Sequence, residues 1–106
     1  MSSLDRATYE FITAVLSSEE YRAYRTELDK VKQFPELKAQ IDDYRKKNYE
    51  LQTSVDINFN KLDAFEKEYE TFRENLYVQD FLAAELDFCR LMQGLYDRIT
   101  AALNFE

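Results

Sequence analysis

Residues 35–72, PELKAQIDDYRKKNYELQTSVDINFNKLDAFEKEYETF, decide the fold class. Leu37, Ile41, Tyr44, Asn48, Leu51, Val55, Asn58, Leu62, Phe65, Tyr69 and Phe72 follow one another at alternating spacings of four and three. That alternation places them along one face of an α-helix, and nine of these eleven residues are apolar, which is a sustained heptad. Two readings compete. A single helix of about 38 residues would span roughly 57 Å at 1.5 Å per residue. A helical hairpin would instead break near Thr53–Asn60. The segment TSVDINFN favours the break, because β-branched residues, Asn and Asp are poor helix formers and Ile57 and Phe59 fall off the seam.

The flanking sequence is helical as well. Before the heptad, Ser2 or Ser3 can cap a helix from about Leu4 to Leu16, with Asp5 in its first turn and Leu4, Ala7, Phe11 and Val15 as its stripe. Ser17 or Ser18 can cap a second helix carrying Tyr21, Tyr24, Leu28 and Val31 on one face. Pro35 ends that helix or kinks it, and can open the next at its first position. After the heptad, Asn75 can cap a last helix from about Tyr77 to Leu103. Its seam is Val78, Leu82, Glu85, Cys89, Met92, Tyr96, Ile99 and Leu103, widened by Phe81, Phe88, Leu91, Leu95 and Ala102. Such a stripe is wider than one flat contact needs, so this helix is either central to a bundle or the carrier of a partner surface. One Gly and one Pro in 106 residues leave little material for the turns of a sheet. The expected architecture is all-α: a single domain over 1–106, a bundle of four to five helices containing one long heptad-patterned helix or a helical hairpin.

Composition narrows the chemistry. There is no His, so His-dependent triads, imidazole metal sites and the Glu-x-x-His di-iron bundle are excluded. One Cys cannot build a structural zinc site or an internal disulfide, and one Gly cannot build a glycine-rich phosphate loop. The net charge of −7 opposes phosphate backbones. The one basic run, Arg45-Lys46-Lys47, reads as a solvated helix face rather than an RNA patch. Asp42-Asp43 and Glu66/Glu68/Glu70 read as solvated carboxylates, the latter three spread around the helix. Glu85 is different, because it lies on an apolar seam and an unpaired buried carboxylate is costly. It calls for a basic partner, with Arg22, Arg25 and Arg90 as candidates. Cys89, on the same seam, reads as a small buried hydrophobe. The N-terminal MSSLDRATYEF shows no signal-peptide pattern and no stretch approaches a membrane span, so a cytoplasmic location is expected.

Two further stretches carry a resemblance. VLSSEEYRAYR at 15–25, continuing through Pro35-Glu36-Leu37 to Gln52, and NLYVQDFLAAELDFCRLMQ at 75–93 together resemble the YlbF/YmcA family, the control-of-competence regulators. The resemblance implies an all-α, cytoplasmic, non-enzymatic protein. It implies a regulator of competence, sporulation and biofilm formation. Some members form a complex with one another and a third protein, linked to RNA maturation by a membrane-attached endoribonuclease. Val78, Phe81, Leu82, Glu85, Met92 and Gln93 match the family's best-defined helix. Some members hold iron–sulfur clusters on several cysteines. With Cys89 alone, no cofactor is expected here.

The expected function is therefore a regulatory or adaptor protein that binds other proteins, family paralogues among them. The expected contact residues are those six and the aromatic seam Phe65, Tyr69 and Phe72. No catalytic or metal site is expected, nor a direct nucleic-acid partner. Self-association is expected, as a dimer. The alternative is an accessory protein that binds RNA directly.

Overall fold

Short polar residues start most of the helices. The Ser2 hydroxyl accepts from the Asp5 N–H while the Asp5 carboxylate accepts from the Ser2 N–H, a closed capping box. Ser18, rather than Ser17, caps the second helix by accepting from the Tyr21 N–H. Pro35 occupies the first turn of the third. Asn58 accepts from the Lys61 N–H, and Asn75 from the N–H groups of Tyr77 and Val78. The computed structural model describes residues 2–104. Among them there are six helices and no strand: α1 (Ser3–Leu16), α2 (Glu19–Lys32), α3 (Pro35–Gln52), α4 (Phe59–Glu68), α5 (Glu70–Glu74) and α6 (Leu76–Leu103). The protein is all-α.

The heptad stretch is a hairpin. α3 stops at Gln52, and the poor helix formers of 53–58 carry the chain round into α4. Val55, read as a seam residue, is 96% exposed in this turn, and Asn58 leaves the seam to become a cap. A second interruption was not visible in the sequence. The backbone of Tyr69 (φ −107°, ψ 14°) leaves the helical region and separates α4 from α5. Around this bend Phe65, Tyr69 and Phe72 all face Tyr44 of α3, with ring centroids 5.5, 5.1 and 5.1 Å away.

The core lies where α2, α3 and the first half of α6 meet. Leu28 and Val31 from α2, Leu37 and Ile41 from α3, and Val78 and Phe81 from α6 form one buried cluster, with Tyr24, Phe72 and Leu82 packed against it. α2 runs antiparallel to α6, because Tyr21 and Tyr24 meet Phe88 while Phe34 meets Tyr77. Burying one such side chain contributes about 1.5–3 kcal/mol.

The rest of the molecule is built differently. α1 buries no residue, and the buried residues of α6 are Val78, Phe81 and Ala84, all in its first half. Phe11, Ala14, Val15 and Ser18 line a cleft with Leu91 and Leu95, and Phe11 lines another with Leu95, Arg98, Ile99 and Ala102. α1 therefore lies antiparallel to the second half of α6 and forms a two-helix end. The Cα radius of gyration is 17.8 Å, with extents of 52 × 38 × 19 Å. A close-packed chain of this length would measure about 13 Å. Among the described residues no helix is long and apolar enough to cross a membrane.

Candidate interaction surface

Among the described residues, nothing packs on the apolar face of the two-helix end. On α1, the arc continuing from the α6-facing side carries Leu4, Ile12 and Leu16; on α6, the corresponding arc carries Met92, Tyr96, Ile99 and Leu103. All seven are exposed, from Met92 at 37% to Leu4 at 76%. Each arc is turned about a quarter of a revolution from the contact line between the helices, in the same rotational sense. Because the helices are antiparallel, equal senses bring both arcs to one side. The acidic and basic residues Arg6, Glu10, Arg90 and Asp97 lie on the other side. Along the first half of α6 the same side carries Phe81 and Glu85 and is covered by α3. Beyond Glu85 that cover ends.

The nine residues expected to make contacts are divided by the structure. Val78 and Phe81 are fully buried in the chain's own core, and Phe65 and Tyr69 are buried around Tyr44. Phe72, Leu82 and Glu85 are half-buried. Met92 and Gln93 are exposed. Tyr96, Ile99 and Leu103 stood on the seam of the last helix and Leu4 on the stripe of the first but were not singled out, and Ile12 and Leu16 lay off that stripe. The over-wide stripe of α6 was the signal for Tyr96, Ile99 and Leu103.

Charged side chains tie α3 to its neighbours. Glu85 pairs with Arg45 of α3, not with Arg22, Arg25 or Arg90. The reason is placement: α3 covers that side of α6, and the Arg45 guanidinium also lies 5.5 Å from the Phe81 ring centre. Arg25 instead pairs with Asp29 one turn along α2. Lys47 reaches Glu68 of α4 at 2.7 Å and Asp43 at 3.5 Å. Arg45 and Lys47 are thus held by carboxylates, which leaves no open basic patch in the run Arg45-Lys46-Lys47. The Tyr69 hydroxyl donates to Asp43 at 3.0 Å. Burial, and next the Asp43 carboxylate, push the Tyr69 phenol above its usual value. The hydrogen bonds of Lys47 to Glu68 and Tyr69 push its ammonium upward. Asp42 is held below the usual carboxylate range by its hydrogen bond from Lys38. Arg73, paired with Glu66 and lying over the rings of Tyr44 and Phe65, is raised further.

Cys89 is exposed rather than buried. It lies beyond Ala84, the last buried residue of α6. Among the described residues, no three Cys, Asp or Glu side chains converge as metal ligands would.

A UPF0342 protein of Symbiobacterium thermophilum is 26% identical over 97 residues, covering 88% of this chain and 87% of its own length. A UPF0342 protein of Caldicellulosiruptor bescii is 22% identical over 102 residues, covering 92% and 86%. No solved structure matches the chain. One family model, described as control of competence regulator ComK, YlbF/YmcA, matches residues 4–104, and the chain belongs to that family.

Proposed function

We propose that this chain is a non-catalytic regulatory subunit that acts in the cytoplasm by burying a helix face against partner proteins. One observation carries the reading: the apolar face of α1 and the second half of α6, which the described residues leave uncovered. Contiguous apolar surface of this kind is disfavoured on a protein that works alone. Membership of a family described by competence control supports the regulatory part. The finer reading is an adaptor that joins family paralogues in a complex serving competence, sporulation and biofilm control through RNA maturation by an endoribonuclease. No cofactor enters it. Direct RNA binding draws no support from Arg45 and Lys47, whose charges are already engaged by Glu85, Asp42, Glu68 and Asp43.

The test is made in the native cell. Met92→Asp with Ile99→Asp places two charges on the face. The regulated process is expected to fail as it does on deletion of the gene, at unchanged cellular amounts of the chain. Wild-type regulation with the face charged rejects the reading.

A further inference from the structure

We infer that a groove at the start of α6 docks a basic segment of a partner polypeptide, with one arginine of that segment held by Phe34, Tyr77 and Glu36. The apolar face lies on the second half of α6, so this is a separate surface and neither reading rests on the other.

The groove forms where three helix ends meet. α2 ends at Lys32, and α3 and α6 begin at Pro35 and Leu76. Phe34, in the short α2–α3 connection, packs on Tyr77 in the first turn of α6, with ring centroids 5.3 Å apart and planes inclined by 46°. The two rings stay nearly half exposed, at 44% and 45%. Beside them an open cleft of about 260 Å³ runs between Glu36, Leu37 and Gln40 of α3 and Asn75. It continues one way over Gln33 and Pro35, and the other way past Phe72 and Thr71 to Glu68.

Charge selects the occupant. Among the described residues, no Lys or Arg lines any part of the groove. Glu36 is exposed, and among the described residues no cation lies within ion-pair distance of it. Lys38 is taken up by Asp42 and Arg73 by Glu66. Aromatic rings beside a free carboxylate suit a guanidinium, which stacks on rings and meets a carboxylate through its planar fork. An acidic segment or a phosphate finds only carboxylates here. A wholly apolar segment would strip water from Glu36 and replace it with nothing. The helix N-termini do not reverse this preference. Asn75 already accepts from the Tyr77 and Val78 N–H groups, and the Phe34 carbonyl from the Leu37 N–H. At longer range, the net charge of −7 draws basic partners in.

Shape selects a polypeptide over a small molecule. Small-ligand sites enclose most of their ligand, whereas this groove is open along its length. The α3 residues that line it, Pro35 to Gln40, span roughly 8 Å at 1.5 Å per residue. That admits two or three residues of an extended chain at about 3.3 Å each. Gln33, Gln40 and Thr71 supply amide and hydroxyl groups along the groove for the backbone of such a segment.

The experiment is an NMR titration of the isotope-labelled full chain with the peptide acetyl-Ala-Ala-Arg-Ala-Ala-amide. A second peptide carries citrulline, the neutral isostere, in place of arginine. Saturable shifts are expected for the arginine peptide at Phe34, Glu36, Gln40, Asn75 and Tyr77, with the citrulline peptide bound about fivefold more weakly or worse. Glu36→Gln and Tyr77→Ala are each expected to weaken arginine binding about fivefold or more. Both side chains are exposed, so folding loses little, and helical circular dichroism confirms it. Glu50→Gln removes the same charge near the other end of α3 and is expected to leave binding unchanged. The inference is overturned if no saturable shift appears up to about 10 mM peptide, ten times a millimolar Kd. Equal binding of the two peptides overturns it too, as does wild-type binding by Glu36→Gln. An equal loss in Glu50→Gln and Glu36→Gln also overturns it, since that marks a general attraction to an acidic protein.

Discussion

Tyr69 is where the charged network and the aromatic cluster meet. Its ring packs against Tyr44, Phe65 and Phe72, and its hydroxyl donates to Asp43. Tyr69→Phe keeps the ring and removes the hydrogen bond, so it should lower stability by about 1 kcal/mol near neutral pH. The alkaline behaviour follows from the sign of the shift. A phenol raised in the folded state contributes stability that is complete below the unfolded value of about 10 and is lost as pH rises from there through the folded value. Lys47, also raised, acts in the same sense. Urea midpoints should therefore fall above about pH 10 in the wild type and fall less steeply in Tyr69→Phe. Parallel curves for the two proteins would contradict the assignment. Glu85 shows how far single residues could be read. A carboxylate on an apolar seam announced that it needed a cation. Its partner, Arg45, lies 40 residues away on α3, and no local pattern links the two.

Most elements were legible from a start signal. The sequence offered Ser2 or Ser3, Ser17 or Ser18, Pro35 and Asn75, and the structure starts α1, α2, α3 and α6 with Ser2, Ser18, Pro35 and Asn75, whereas Asn58, read as a seam residue, caps α4. The bend at Tyr69 carries no such mark, because it comes from packing three aromatic rings around Tyr44 rather than from a helix-breaking residue. The turn at 53–58 gives a discriminating prediction. In an unbroken helix Asn58→Ala would stabilise, since Ala is the better helix former. As an N-cap, Asn58 satisfies the Lys61 N–H, and its loss should cost about 1 kcal/mol in chemical denaturation. Gly94 gives the opposite sign. It sits in the interior of α6, away from the apolar face, and a Cβ there meets nothing within 4 Å. Gly94→Ala should stabilise by about 0.5–1 kcal/mol, raising the melting temperature by a few degrees. No gain would mean that α6 is frayed at this point.

At the scale of the whole molecule, the over-wide stripe of α6 left two readings open, a central bundle helix or a partner surface. It did not signal that burial would be divided along its length. That division depends on where α3 leaves α6 and on α1 lying alone against the remainder, both tertiary facts. The hairpin also folds Phe65, Tyr69 and Phe72 of the aromatic seam back onto Tyr44, a contact that no local pattern shows. The self-association expected from the sequence has a consequence in salt. If an apolar face drives association of two bodies of charge −7, screening should relieve their repulsion and leave the contact untouched. Raising NaCl from about 50 to 500 mM, which shortens the screening length severalfold, should hold the dimer constant or tighten it. Binding to a nucleic-acid backbone would change the other way, losing orders of magnitude over a similar range. Sedimentation equilibrium at the two salt concentrations measures the sign directly. A dimer that weakens about tenfold or more with salt would mean that ion pairs, rather than Leu16, Met92, Tyr96 and Ile99, hold the copies together.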